Sequence, residues 1–207
     1  MRIRDYMSEI RPAVEVVIGE IHAERQALDN AEEKLSRLTK ETEAGYRKVE
    51  FLQMNPELDD DFLGTAIYWD TYFGPDKDRW HANIEVEKIE EQIQVKAFSL
   101  SALGGTLLQF GKQGISLQYG GIDTCPPGRE IEGMSLRDLI WFGRNQGIHW
   151  DEGEFRGATK RFLEQLGAAK GGPFSDYKSK SLSLDIINLI GWKTTDQFQN
   201  DLLSLDP

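Results

Sequence analysis

The chain has 207 residues, 39% of them hydrophobic and 10% aromatic, which is enough to bury a core as one domain or as one domain with an appendage. Its 24 basic and 35 acidic residues give a net charge of −11, which excludes a protein that coats nucleic acid through a broad basic surface. The single cysteine, Cys125, excludes an intrachain disulfide and a cysteine-based zinc cluster. No apolar run of membrane-spanning length and no signal-peptide core occurs, so we expect a soluble, cytoplasmic protein.

Residues 1–55 predict one long amphipathic helix. Pro12 lies near its start, where proline is tolerated. Apolar residues then recur at alternating steps of three and four, the spacing of a coiled-coil or bundle seam, interrupted by Glu24: Val14, Val17, Ile21, Leu28, Ala31, Leu35 and Leu38. Such a stripe fits a dimer or partner surface, and it equally fits a helix packed on its own domain.

Residues 56–170 predict a helical bundle. Asn55-Pro56 predicts the start of a short helix that ends near Tyr72. The consecutive acids at 59–61 would point in different directions on that helix, so we interpret them as helix-start acids and not as a metal site. After Gly74-Pro75, a second long helix has an apolar stripe of Trp80, Ile84, Ile89, Ile93, Ala97, Leu100, Leu103, Leu107 and Phe110.

The remaining elements are also predicted to be helical. Gly104-Gly105 indicates a close helix approach or a kink, and the composition of residues 119–133 is typical of a loop. Ser135, followed by Asp138, predicts the N-cap of a helix that runs from Leu136 to about His149. Further helices are expected at 154–166, 182–190 and 196–205, the last capped by Thr195, and residues 171–207 should pack on the bundle. Because strand-like alternation is scarce, the sequence predicts an all-α fold.

The segment Arg144-Asn145-Gln146-Gly147-Ile148-His149 combines residue types suited to metal-free RNA cleavage. Histidine can move protons near neutral pH, and arginine can hold a phosphate through a planar fork of donors. Neither His22 nor His81 has an arginine five to seven positions upstream. The alternative interpretation is that Arg144 is a surface charge and that His149 caps or packs at a helix end.

The motif and the helical pattern together resemble the HEPN superfamily, whose members share an arginine, four to six intervening residues and a histidine. Asn145 stands where that family often has Asn, Asp or His, and residues 150–152 resemble a frequent continuation of the motif. The resemblance is close over the motif, loose over residues 76–166, and says little about residues 1–50. It implies an up-and-down helical bundle that dimerises. Many members are ribonucleases of toxin–antitoxin, CRISPR or antiphage systems, and others are inactive or structural.

This resemblance implies that Arg144, Asn145 and His149 are the catalytic residues and that neither a cofactor nor a metal is needed. His149 would exchange a proton with the ribose 2′-OH or the 5′-leaving oxygen, and Arg144 would stabilise the transition-state charge. Asn145 would orient the histidine or hold a phosphate oxygen. The expected products are a 2′,3′-cyclic phosphate and a 5′-OH. The expected partners are RNA, a second copy of the chain, and a separately encoded antitoxin or partner protein.

Two questions stay open at this point. Residues five apart on an ideal helix are rotated by about 140°, so Arg144 and His149 would face different ways. Either Gly147 and the helix end near Gly153 bend the segment, or two chains share one site, which the resemblance favours. The alternative function is a non-catalytic dimerisation or interaction module that uses the N-terminal helix. The acidic balance favours the module, and the intact Arg-Asn-His set favours the ribonuclease.

Overall fold

The computed structural model describes residues 1–58 and 63–206. Within its helices, the side chains of residues 41–42, 71, 75–87, 90 and 93 also lie outside the description. The acids at 59–61 and the side chains of Trp80, His81, Ile84 and Ile93 therefore fall outside the described residues.

Helices dominate the described chain, which confirms the helical part of the all-α expectation, and one two-stranded sheet departs from it. No helix in these residues is long and apolar enough to cross a bilayer. Short 3-10 helices cover Pro56–Leu58, Trp150–Glu152 and Gly172–Asp176, and the chain kinks between α2 and α3 at Gly74, whose φ of −96° and ψ of −106° are not helical. The α-helices are α1 (Ile3–Met54), α2 (Leu63–Thr71), α3 (Lys77–Tyr119), α4 (Leu136–His149), α5 (Gly157–Lys170), α6 (Ser183–Ile190) and α7 (Thr195–Leu203).

A small β-hairpin leads into α4. Strand β1 (Glu130–Ile131) pairs antiparallel with β2 (Met134–Ser135). The two residues between the strands, Glu132 and Gly133, have φ angles of 53° and 80°. Positive φ at both central positions is what the tight type I′ hairpin turn requires. Ser135 ends β2 and caps α4 as predicted, because its Oγ accepts a hydrogen bond of 3.1 Å from the Asp138 N–H.

The described chain forms two compact units, Met1–Glu24 with Phe98–Pro207, and Arg25–Ala97. The first unit has a continuous apolar core to which the first turns of α1, the second half of α3 and helices α4 to α7 all contribute. Its most deeply buried side chains include Ile3, Val14, Leu100, Leu107, Leu108, Ile115, Leu136, Leu139, Ile140, Leu163, Leu166, Ile186, Phe198 and Leu202. The motif helix α4 is therefore anchored in this core.

Glycines on α3 and α4 allow α6 to approach closely. A Cβ built on Gly147 would lie 2.0 Å from Ser183 Oγ, and one built on Gly104 would lie 3.0 Å from the backbone nitrogen of Leu184. At Gly147 the close atom ends a rotatable side chain, so a Cβ there would require the Ser183 hydroxyl to turn away, whereas the atoms that face Gly104 are backbone. Gly104 therefore marks a close helix approach, and Gly147 is a packing residue within a helix that continues to His149.

Gln146, within the motif, is fully buried and ties α4 to the segment before α6. Its Nε2 donates to the carbonyl oxygens of Tyr177 and Lys180 at 2.8 and 2.7 Å. Its Oε1 accepts a hydrogen bond of 2.7 Å from the Leu182 N–H. Both the nitrogen and the oxygen of the side-chain amide therefore have hydrogen-bond partners. A polar group can be buried without a large loss of stability when its hydrogen bonds are made in this way.

A second polar network, centred on the buried carboxylate of Asp201, fixes the hairpin to the C-terminal helix. Arg129 donates two hydrogen bonds to the Asp201 carboxylate, at 2.7 and 2.8 Å, and a third of 2.6 Å to the Ile190 carbonyl. The indole N–H of Trp192 donates to the same carboxylate at 2.8 Å. The hydrogen bonds to Asp201 raise the pKa of Arg129. This fork geometry positions the hairpin from which α4 starts.

The second unit exposes a cluster of aromatic rings, which we call the aromatic cluster: Tyr68, Trp69, Tyr72 and Phe73. Neighbouring ring centroids lie 5.1–6.1 Å apart. Between 38% and 62% of each residue is exposed. Residues 25–97, which form this unit, contain 10 basic and 17 acidic residues, so the unit holds −7 of the net charge of −11.

Candidate functional site

An open cleft of about 680 Å³ lies in the first unit beside the C-terminal end of α4. All three predicted site residues, Arg144, Asn145 and His149, line it within one chain. We call it the Arg144 cleft. The remaining lining residues come from α3, from residues 152–156 and from α5: Lys112, Glu152, Glu154, Phe155, Arg156 and Thr159.

The backbone leaves the helical conformation at His149. His149 is the last residue of α4, with φ −113° and ψ 15°, well away from the α-helical values near −63° and −42°. The chain then makes a 3-10 turn that ends at Gly153, whose φ is 69°. Gly147 lies inside α4, so the departure from the helix begins at His149 and not between Arg144 and His149. A site shared between two chains stays a prediction.

Two hydrogen bonds join α3 to the first two motif residues. Arg144 Nε donates to Gln109 Oε1 at 2.5 Å. Lys112 Nζ donates to Asn145 Oδ1 at 2.9 Å. Gln109 and Lys112 are three residues apart on α3 and therefore share a face. Asn145 was expected to orient the histidine or hold a phosphate oxygen. In the structure, its side-chain carbonyl oxygen accepts the hydrogen bond from the Lys112 ammonium.

His149 is paired with Glu152 across the 3-10 turn. Its Nδ1 lies 2.6 Å from Glu152 Oε1. An ionised carboxylate can only accept, so in the neutral imidazole Nδ1 holds the hydrogen and Nε2 holds the free lone pair. Both side chains remain substantially exposed, 46% for His149 and 63% for Glu152. The arrangement presents a histidine base whose tautomer is fixed by its neighbour.

Lys112 also lines the cleft and was not among the residues predicted from the sequence. Its ammonium nitrogen lies 4.5 Å from the centroid of the Trp141 ring, within the range of a cation–π interaction. Burial, and then the charge of Arg144, lower the pKa of Lys112. A signal was present in the sequence, because Lys112 is four residues after Leu108 and three before Ile115, both fully buried on α3. A lysine that lies three or four residues from buried apolar residues falls on the apolar face of the helix. The fold must then supply polar or aromatic partners for its charge.

Two further observations concern the residue types that bind metals or react as thiols. Within the described ranges, no group of three or more His, Cys, Asp or Glu side chains is placed to hold a metal ion. Cys125 lies in the loop before the hairpin and is buried, and burial raises its pKa to about 11. Since the thiolate is the reactive form, a raised pKa keeps this cysteine unreactive near neutral pH.

Comparison with protein-family models, with curated proteins and with solved structures gives no match to this chain. The resemblance to the HEPN superfamily therefore rests on two things, the motif from Arg144 to His149 and the helical fold around it.

Proposed function

We propose that the chain is a metal-independent endoribonuclease of the HEPN type and that Arg144, Asn145 and His149 form its site. The observation that supports this most directly is that Arg144 and His149 line one cleft, the histidine with its tautomer fixed by Glu152. RNA contains its own nucleophile, the ribose 2′-OH. Proton transfer and charge stabilisation are then the two contributions the protein must make.

In the proposed reaction, Nε2 of His149 accepts the proton of the 2′-OH as O2′ forms a bond to phosphorus. The N–H donors of Arg144 stabilise the additional negative charge on the phosphate oxygens. The bond between phosphorus and O5′ then breaks, and O5′ takes the proton back from His149. The products are a 2′,3′-cyclic phosphate and a 5′-OH, and His149 is again neutral.

We further propose that the ribonuclease is a homodimer that serves as a toxin or antiphage effector, held in check by a separately encoded antitoxin or partner protein. Ile148 in the motif is 46% exposed, and both Trp141 and Trp150 are partly exposed, which suits an interface near the cleft. In a bacterial host, expression of the native chain should slow growth, and expression of His149→Ala should not.

The decisive experiment is an RNA cleavage assay in EDTA. The native chain should cleave and leave 2′,3′-cyclic phosphate ends, and His149→Ala should lose at least about a hundredfold in rate. His22→Ala is the matched control, because His22 is an exposed histidine on α1 that bonds the Lys193 carbonyl and does not line the cleft. Equal inactivity of the native chain and His149→Ala toward tRNA, mRNA and structured RNA would overturn the proposal.

The second candidate function is a helical interaction module, and the aromatic cluster favours it. Exposed tyrosine, tryptophan and phenylalanine are enriched at protein–protein interfaces. This function predicts that Trp69→Ser combined with Phe73→Ser abolishes binding to the partner, whereas His149→Ala leaves it intact. If the chain is a ribonuclease, His149→Ala should abolish RNA cleavage, whereas Trp69→Ser combined with Phe73→Ser should leave cleavage intact.

A further inference from the structure

Among the residues that the structure describes, two cations of the Arg144 cleft, Lys112 and Arg144, have no carboxylate partner. Of the acidic residues that line it, Glu152 is paired with His149 and Glu154 lies 3.7 Å from Arg156. In the part of the chain that the structure describes, Lys112 and Arg144 make their side-chain hydrogen bonds to neutral amide oxygens. Two unpaired positive charges in one cleft are notable in a chain of net charge −11.

These two cations are close enough to repel each other. The charge of Arg144 is one of the causes that lower the pKa of Lys112. The packing of α3 on α4 positions both cations. Arg144 donates a hydrogen bond to Gln109 on α3, and Lys112 on α3 donates one to Asn145. In the free protein the fold holds these two like charges together in spite of their repulsion. An anion that binds between them attracts both and so offsets the repulsion.

Both side chains also retain donors that an anion could use. An ammonium has three N–H donors and a guanidinium has five. Among the described contacts, Lys112 donates one hydrogen bond to a side chain and Arg144 donates one, from Nε. The terminal nitrogens of Arg144 therefore keep the planar fork that fits two oxygens of a phosphate.

We propose that Lys112 is a substrate-binding residue, and that Lys112 and Arg144 form a two-cation clamp for a phosphate group of single-stranded nucleic acid. The inference rests on the proposed ribonuclease function, since it names the part of the RNA that the cleft grips. Asn145 is then a positioning residue that holds the Lys112 ammonium over Trp141 and beside Arg144.

Binding is tested on the full chain with a fluorescent single-stranded DNA oligonucleotide, which lacks the 2′-OH and so is not cleaved by this chemistry. At low salt, Lys112→Met should weaken binding about tenfold to a hundredfold, the range for losing a hydrogen bond to a charged group. Lys112→Arg should bind within about threefold of the native chain, since it keeps the charge. The salt slope of log K should also become shallower by about 0.7 in Lys112→Met, the value for one lost phosphate contact on a single strand.

The matched control is Lys160→Met, which makes the same charge change at an exposed lysine paired with Glu164 outside the cleft. It should bind like the native chain. A second readout is tryptophan fluorescence on titration with inorganic phosphate, whose change should disappear in Trp141→Phe. Folding of each variant is checked by circular dichroism. If Lys112→Met does not fold, Lys112→Gln supplies the uncharged variant while retaining a polar partner for Asn145.

The outcomes separate this inference from the ribonuclease proposal. Oligonucleotide binding that depends on Lys112, without RNA cleavage by the native chain, supports the clamp and overturns the ribonuclease. RNA cleavage by the native chain, with Lys112→Met equal to it in both binding and cleavage, overturns the clamp and leaves the ribonuclease standing. The clamp is also overturned if the native chain binds no oligonucleotide at low salt, or if Lys160→Met weakens binding as much as Lys112→Met.

Discussion

His149 and Glu152 form a hydrogen bond of 2.6 Å between Nδ1 and Oε1, across the turn in which α4 ends. The bond is local in sequence, three residues apart, and its two side chains both line the Arg144 cleft. A histidine held in this way has one nitrogen fixed as a donor and the other free to accept a proton. Glu152 is therefore a positioning residue for the proposed base.

Replacing Glu152 with glutamine should lower the cleavage rate about tenfold or more, and by less than the 10²–10⁴ expected for losing the base itself. An amide can donate to Nδ1, which would place the hydrogen on Nε2 and block proton acceptance there. Because Glu152 acts through His149, kcat should fall while KM stays near its native value. Asp151→Asn is the control, since Asp151 is exposed and does not line the cleft. A change confined to KM would contradict this role.

Arg144→Lys should lose about a hundredfold in cleavage rate although the charge is retained. The ammonium cannot reproduce the planar fork of donors, and the removal of one such donor to a developing oxyanion costs on the order of 10²–10³. Single-turnover kinetics at saturating RNA measure the chemical step directly. Arg161→Lys, a change at an exposed arginine on α5, should leave the rate unaltered. Full activity in Arg144→Lys would show that only charge matters at this position.

Several elements could be predicted from the sequence because they depend on local chemistry. The predicted span of α4 matches the structure, since Ser135 supplies a cap and the buried Leu139 and Ile140 keep helical spacing. The predicted stripe on α1 is the buried or half-buried face of that helix from Val14 to Leu38. The last cap was predicted at Thr195 and is Thr194, because only Thr194 forms the reciprocal capping box with Gln197.

Other features depend on tertiary contacts and could not be read in this way. Helix α5 was predicted to end at Leu166 but continues to Lys170, since Gly167 lies within the helix and packs closely against the Phe174 carbonyl, 3.1 Å from a built Cβ. It begins at Gly157, three residues later than predicted. Each strand of the hairpin has only two residues, too few for the alternation of apolar and polar residues by which a strand is recognised in a sequence. The pairing of Lys112 with Asn145 joins residues 33 positions apart, a relationship that single-sequence spacing does not contain.

Oligonucleotide binding should weaken with rising pH earlier than for an ordinary lysine, because burial and Arg144 lower the pKa of Lys112. Below the pKa that Lys112 has in the folded protein, its ammonium is charged and binds phosphate. Above that pKa the side chain is a neutral amine, which does not, so binding falls as the pH rises. Lys112→Arg should remove this alkaline loss, since arginine stays charged. Anisotropy titrations across the alkaline range measure the effect. Identical pH profiles for the native chain and Lys112→Arg would contradict the assignment.

The chain should form a two-fold dimer with residues 135–155 near the axis. The exposed Ile148 and the partly exposed Trp141 and Trp150 supply apolar area on this side of α4. Light scattering at tens of micromolar should give twice the mass of 23.6 kDa. Ile148→Glu should shift the mass toward the monomer, because it would bury a charge in the interface. The exposed Leu117→Glu, on α3, is the control. A native monomer at that concentration would remove the dimer from the proposal.

Gln146→Leu should destabilise the first unit by about 1–3 kcal/mol, the cost of one buried polar group left unsatisfied, although it replaces a buried polar side chain with an apolar one of similar size. The substitution leaves the buried N–H of Leu182 without its partner. It also removes the donor to the carbonyl oxygens of Tyr177 and Lys180, whose hydrogen bonds are only part-buried. Urea unfolding followed by circular dichroism measures the loss, and Gln165→Leu at an exposed position of α5 should change stability by less than about 0.5 kcal/mol. Because Gln146 lies between Asn145 and Gly147, a native-like stability in Gln146→Leu would show that the motif helix does not depend on this tether.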